Sequence, residues 1–214
     1  MKIPKSVSFT AILLFGLAAW AQEFPKAEVG ADYTYARIAP NFSGSQGHSL
    51  NGGGGWAVLN LKSYLGIKMD LQGYGSTTSS FVLPPSTSFP SGGSANVQGN
   101  MFTYLFGPQI KIRTPKFQPF FQLLLGGAHS NVYGNAYKDV CLPTAGACSF
   151  SKAPSGNAFA LAFGGGIDIP VGKTISIRPA EIDYLLTDFT NRFNNSNQNN
   201  FRYSAGINFS FGGR

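Results

Sequence analysis

Residues 201–211 read Phe-Arg-Tyr-Ser-Ala-Gly-Ile-Asn-Phe-Ser-Phe. Successive side chains of a strand point to opposite sides. As a strand, this stretch puts Phe201, Tyr203, Ala205, Ile207, Phe209 and Phe211 on one face. Arg202, Ser204, Gly206, Asn208 and Ser210 fall on the other. The result is a ribbon with one apolar and one polar side. A strand of a soluble sandwich can carry the same pattern. Whether the apolar side meets a protein core or lipid is decided by the rest of the chain.

The alternation recurs upstream. Strand 1 is expected over about Lys26 to Arg37, with Val29, Ala31, Tyr33 and Tyr35 against Glu28, Gly30, Asp32 and Thr34. Strand 2, about Asn51 to Leu61, opens on four glycines, which weaken a strand but permit tight curvature and close approach of neighbours. No Lys-Ser/Thr pair and no helix follow them, so a phosphate-cradling loop is excluded. Strand 3, Leu65 to Tyr74, opposes Leu65, Ile67, Met69 and Leu71 to Lys68, Asp70 and Gln72. Gly75 to Gln98 is rich in Ser, Thr, Pro and Gly, has no period, and reads as a long loop. Strand 4, about Gly99 to Arg113, groups Phe102, Tyr104, Phe106, Ile110 and Ile112, with Pro108 expected to mark a bulge. Strand 5 is Phe117 to Ser130 and strand 6 is Asn157 to Ile169. Strand 7, Thr174 to Leu186, changes parity at Pro179, where one residue of bulge would turn Arg178, Glu181 and Asp183 inward together.

The connections alternate between long and short. Eight strands with three tight turns and four long loops predict an all-β fold: an eight-stranded antiparallel up-and-down transmembrane β-barrel, with short periplasmic turns, four long extracellular loops and both termini in the periplasm. Strands of this length suit a tilted crossing of a bilayer, whereas soluble strands average about 5–6 residues. No segment is left over to cover the apolar face of residues 201–211 in water, so this last strand must pair with strand 1 to leave no edge in lipid.

Composition agrees. Charged residues are 12% of the 214, aromatic residues 14%, and there are 27 glycines, against about 25% charge in ordinary soluble domains. Lys2 and Lys5 precede a mostly apolar Val7 to Ala19, and Ala19-Trp20-Ala21 fits a small-x-small cleavage site. Residues 1–21 therefore read as a signal peptide and 22–214 as the barrel domain. Removal of 21 of the 214 residues leaves 193, and the formal charge falls from +7 to +5 with Lys2 and Lys5 gone. The remaining basic residues are scattered along the sequence, which argues against nucleic acid and leaves attraction to anionic outer-leaflet lipid. Cys141 and Cys148 close a small loop in an exported chain, so a disulfide is expected, contributing about 2.5 kcal/mol in the chain-entropy model.

At this point a resemblance enters. The eight strands and the aromatic last strand resemble the OmpA/OmpX-type small outer-membrane barrels. NAFALAFGGGIDI (157–169), ISIRPAEIDYLLT (175–187) and FRYSAGINFSFG (201–212) are similar to the outer membrane protein beta-barrel domain proteins of Acidobacteria. The resemblance covers Glu23 to Gly212. It implies a bacterial outer-membrane location, contact with outer-membrane lipid and lipopolysaccharide, and reading of the last strand by the barrel-assembly machinery. It implies little chemistry.

The inward face collects Glu28, Asp32, Lys68, Asp70, Lys111, Asp168, Arg178, Glu181, Asp183 and Arg202. An eight-stranded barrel is only wide enough for side chains to fill it, so these charges are expected to pair as a luminal polar network. Glu181 and Asp183 are the candidates for acid/base work, with Arg178 and Arg202 as their neutralising partners. Barrels of this size include lipid A acylhydrolases with a Ser/His site. Here His129 and Ser130 are adjacent and point to opposite faces, and His48 is expected in a loop, so neither supplies that pair. The expectation is a non-enzymatic protein with no cofactor, no metal and no catalytic residue, serving a structural, adhesion or surface-interaction role for a ligand the sequence does not name. A narrow passive channel and a lipid A-modifying enzyme are the alternatives.

Overall fold

A computed structural model describes residues 24–38, 48–83, 85–143, 148–149, 151–153, 155–189 and 197–213. The signal segment expected at residues 1–21 lies outside these residues. Eight antiparallel strands close in chain order: β1 (Ala27–Ile38), β2 (His48–Asn60), β3 (Leu65–Leu83), β4 (Gly93–Lys111), β5 (Gln118–Ser130), β6 (Asn157–Pro170), β7 (Ile175–Asp188) and β8 (Gln198–Phe211). β8 returns to β1 with Tyr35 opposite Tyr203, Ala31 opposite Ile207 and Gly30 opposite Asn208, so the barrel has no free edge within the wall. Short turns at 61–64, 112–117 and 171–174 share one end with Phe24 and Gly213, the outermost described residues, and the long connections leave from the other.

The two faces of each strand part as alternation requires. Tyr33, Phe106, Phe121, Phe163, Ile182, Ile207 and their neighbours stand outward and exposed, while Lys68, Asp70, Thr103, Gln122, Arg178 and Arg202 are buried within. An apolar outside around a charged inside inverts the arrangement of a water-soluble domain and is stable only in hydrocarbon. The parity change at Pro179 is a bulge: the register shifts between Arg178 and Glu181 against β8 and at the same level against β6. It leaves Ile175, Ile177, Ile182 and Tyr184 exposed and Arg178, Glu181 and Asp183 buried.

Two local expectations are corrected. Residues 75–98 are not one loop. β3 and β4 run on as a paired hairpin, Thr77 opposite Gly99 through Leu83 opposite Gly93, after a bulge between Tyr74 and Thr77. This extension projects past the end of the β2–β3 ladder, which stops at Gly52 opposite Tyr74. It turns back through Gly92, whose φ of 66° suits only glycine without strain. At Pro108 there is no bulge. Phe106 faces Leu125 and Gln109 faces Gln122 in one continuous register. The proline is exposed, and at Gly107 beside it a Cβ would fall 2.1 Å from the Leu123 carbonyl oxygen, so the backbones approach too closely there for any larger residue.

The described part of the long connection after β5 is folded over the long-loop end of the barrel. A one-turn helix α1 (Val132–Ala136) continues into a π-helical turn (Tyr137–Cys141) that ends on the Cys141–Cys148 disulfide. Tyr133, Ala136 and Val140 of this cap join Phe89, Val97, Met101, Leu105, Leu124, Ala128, Leu185 and Phe189 in a buried apolar cluster. The Asn135 amide donates to the Gln98 carbonyl at 2.7 Å and the Asn100 amide to the Asn131 side chain at 2.8 Å, which hold the cap against β4.

Candidate functional site: the luminal ion-pair network

Below the apolar cluster, toward the short-turn end, the lumen is filled by charge. Beginning at that end, Arg113 Nη2 donates to Glu28 Oε1 at 2.6 Å. The other Glu28 oxygen accepts from the Lys111 ammonium and, at 2.9 Å, from the Asn208 amide. Lys111 also donates to Asp168 Oδ2 at 2.8 Å. Arg178 takes both oxygens of Asp168, at 2.7 and 3.0 Å, and with Nη1 reaches Glu181 at 2.6 Å. Lys68 sits on both oxygens of Glu181, at 2.9 and 3.0 Å, and pairs with Asp70 at 3.6 Å. Arg202 then bridges Asp70 at 2.7 Å and Asp183 at 2.6 Å. Charges of alternate sign form one continuous chain from the mouth to mid-barrel.

The expected luminal residues are thus brought together, with one difference. Asp32 is half-buried and is held by the Gln72 amide at 3.0 Å to each oxygen, and it makes no ion pair among the described residues. Glu181 and Asp183 do share one face, but each is crossed by cations, and Gln122 spans them with amide bonds of 2.7 and 2.8 Å. Removing two charges from water is repaid only when geometry and further hydrogen bonds satisfy them; here five of the six carboxylates have a cation, Gln122 donates to Glu181 and Asp183, Asn60 and Asn208 donate to Glu28, Gln72 holds Asp32, and Asp70 Oδ2 has, among the described residues, only Lys68 at 3.6 Å.

Sequence reasoning did not assign Trp56 and Phe120 to this network. Arg178 lies between them, its guanidinium carbon 3.9 Å from the Trp56 ring centre and 4.2 Å from that of Phe120. Arg113, read only as the end of a strand, closes the mouth. The available signal was register: Trp56 pairs with Gly30, which shares the parity of Glu28. A Cβ on Gly30 would fall 2.1 Å from the indole, so the glycine makes room for the ring. His129 points outward and meets Asn157 at 2.8 Å, while Ser130 is turned inward, as their adjacency requires. The side chain of His48 lies outside the described residues.

A family model described as "Outer membrane protein beta-barrel domain" matches residues 7–211. No curated protein sequence matches the chain. Among solved structures the chain is similar to Neisserial surface protein A, at 14% identity over 89% of this chain and 100% of that one, with a TM-score of 0.57. It is also similar to Ail, the attachment invasion locus protein of Yersinia pestis, at 12% identity over 88% and 99%, with a TM-score of 0.50. Likeness at such identity is likeness of fold.

Proposed function

This chain belongs to the outer membrane protein beta-barrel domain family, and from that premise we propose that it is a surface barrel with a closed lumen, acting through its long loops in a structural or adhesive role. It is a β-barrel of the bacterial outer membrane, where membrane lipid covers its exposed apolar wall. The observation that carries the proposal is the double closure of the lumen. The apolar cluster under the disulfide-bearing cap seals the outer half, and the ion-pair chain from Glu28 to Asp183 seals the inner half. What remains to interact with the outside is the cap and the projecting β3–β4 hairpin, on the loops where such scaffolds carry recognition. The names of the two similar structures, a surface protein and an attachment protein, favour the same reading.

Four further assignments belong to this proposal. Residues 1–21 are a signal peptide, so the protein purified from outer membranes begins at Gln22, which mass spectrometry of the intact chain reads directly. The β8 strand is the segment handled by the assembly machinery, and lipopolysaccharide is the outer-leaflet neighbour. An acidobacterial origin belongs to the proposal too, supported by the likeness of residues 157–169, 175–187 and 201–212 to barrel domains of that group. Single-channel recording in a planar bilayer tests the closed lumen: a quiet membrane is expected, and reproducible conductance steps would give the passive channel instead. Mass spectrometry of lipid A from expressing cells tests the enzymatic alternative, with an unchanged profile expected. Surface attachment of expressing cells, compared with cells expressing a variant lacking the hairpin tip 78–98, tests the adhesive role.

A further inference from the structure

Basic residues that are scattered along the sequence are gathered by the fold at one end of the barrel. Lys62, Lys116 and Lys173 occupy the three tight turns, all exposed, and Arg113 and Lys26 stand just inside them. Among the described residues this end carries no exposed carboxylate. Glu28 and Asp168, the nearest, are buried and already paired. At the other end the described charges are mixed, with Arg37, Lys138 and Lys152 against Asp139 and Asp188. The short turns of such barrels face the periplasm, so this group of positive charges lies at the inner leaflet.

Each of these lysines has an outward apolar neighbour in its own turn. Leu61 and Tyr64 flank Lys62, Phe117 follows Lys116, and Val171 precedes Lys173, all exposed. The Lys62 ammonium is 6.0 Å from the Tyr64 ring centre. An apolar side chain reaching the acyl boundary beside a cation at headgroup height is the arrangement that holds a barrel at a charged interface. A polymer of the cell wall would use the charge but not the apolar anchors. We propose that Lys62, Lys116 and Lys173 form a periplasmic collar that binds the phosphate of anionic phospholipids in the inner leaflet and fixes the depth of the barrel.

The test uses the intact barrel in nanodiscs of equal phosphatidylcholine and phosphatidylglycerol, with native mass spectrometry counting the lipids that stay bound. The anionic lipid is expected to be retained preferentially. Each Lys→Gln change in the collar is expected to reduce that preference about fivefold, the factor matching ~1 kcal/mol per basic residue at an anionic surface. Lys138→Gln with Lys152→Gln, at the opposite end, is expected to leave it intact. A preference that survives the triple collar variant, or that the Lys138/Lys152 pair removes equally, overturns the proposal. Binding to purified peptidoglycan sacculi is measured in parallel. Loss of sacculus binding in the triple variant with lipid preference unchanged would assign the collar to the wall and overturn the lipid reading.

Discussion

The guanidinium of Arg178 stacks on the indole of Trp56, 3.9 Å from the ring centre, inside a barrel whose outer wall is apolar. The same side chain ties Asp168 to Glu181, so the stack orients the central cation of the luminal network. Two consequences separate here. Arg178→Met leaves two buried carboxylates short of a cation and is expected to cost about 3–5 kcal/mol. Trp56→Phe keeps an aromatic face under the guanidinium and every ion pair in place, so it is expected to cost less than half of that, the loss coming from the void left by the smaller ring. Urea unfolding of both variants in phospholipid vesicles, followed by circular dichroism, compares them. Equal losses would mean that the network does not depend on Arg178 as a charge.

The assignment of faces is tested at Ile207. This residue faces out and lies opposite Ala31 and Ile177 near the middle of the wall. Ile207→Arg is expected to cost ~2–4 kcal/mol, the penalty of arginine at the bilayer midplane. Phe201→Arg, on the same face but at the long-loop end, is expected to cost only ~0–1 kcal/mol, because its cross-strand neighbour there is already an exposed arginine, Arg37. Folded fractions on vesicles, titrated with urea, give both values, and equal penalties would move the membrane boundary.

Much of this architecture is legible in the sequence because lipid enforces alternation. A residue on β8 either faces hydrocarbon or a crowded lumen, so its class reports its parity. The break in that pattern at Pro179 marks the bulge between Arg178 and Glu181. The pattern fails where the environment stops differing between the two faces. Residues 75–98 contain no charged residue and project beyond the wall, where no hydrocarbon selects an apolar outer face, so Ser94, Asn96 and Gln98 are exposed while Val97 and Phe89 turn under the cap, and residue class carried no period. The lumen hides its aromatic residues for a related reason: Trp56 and Phe120 pack against a cation rather than a lipid, and residue class alone does not distinguish the two. Pro108 misled because a missing N–H interrupts the ladder locally without adding a residue, leaving the register from Phe106 to Gln109 unbroken.

The disulfide is expected to act on the cap and not on the barrel. Cys141 and Cys148 close a loop of only seven positions' separation, worth about 2.5 kcal/mol of unfolded-chain entropy. All eight strand pairings lie outside that loop. Reduction should therefore leave the heat-modifiable, folded band on gels unchanged while opening residues 131–156 to added protease on whole cells. A barrel that loses its folded mobility on reduction would mean that the cap holds the wall together.

Gly30 gives the most local test, since its role is to be absent. It faces the lumen opposite Trp56, and a Cβ built there lies 2.1 Å from the ring, within the indole's own volume. The ring has little freedom to yield: Arg178 covers it at 3.9 Å and the Lys68 ammonium lies 5.4 Å from its centre. Gly30→Ala would ordinarily stiffen the unfolded chain and favour folding by about 0.4–1 kcal/mol. Here overpacking dominates, and a net loss of roughly 1–3 kcal/mol is expected. Combining the change with Trp56→Phe should recover part of that loss, because the smaller ring vacates the space the new methyl needs. A double-mutant cycle on vesicle-folded protein measures the coupling directly. Strict additivity of the two changes would show that the methyl is accommodated elsewhere, and that the glycine serves the curvature of the wall instead of the seat of the tryptophan.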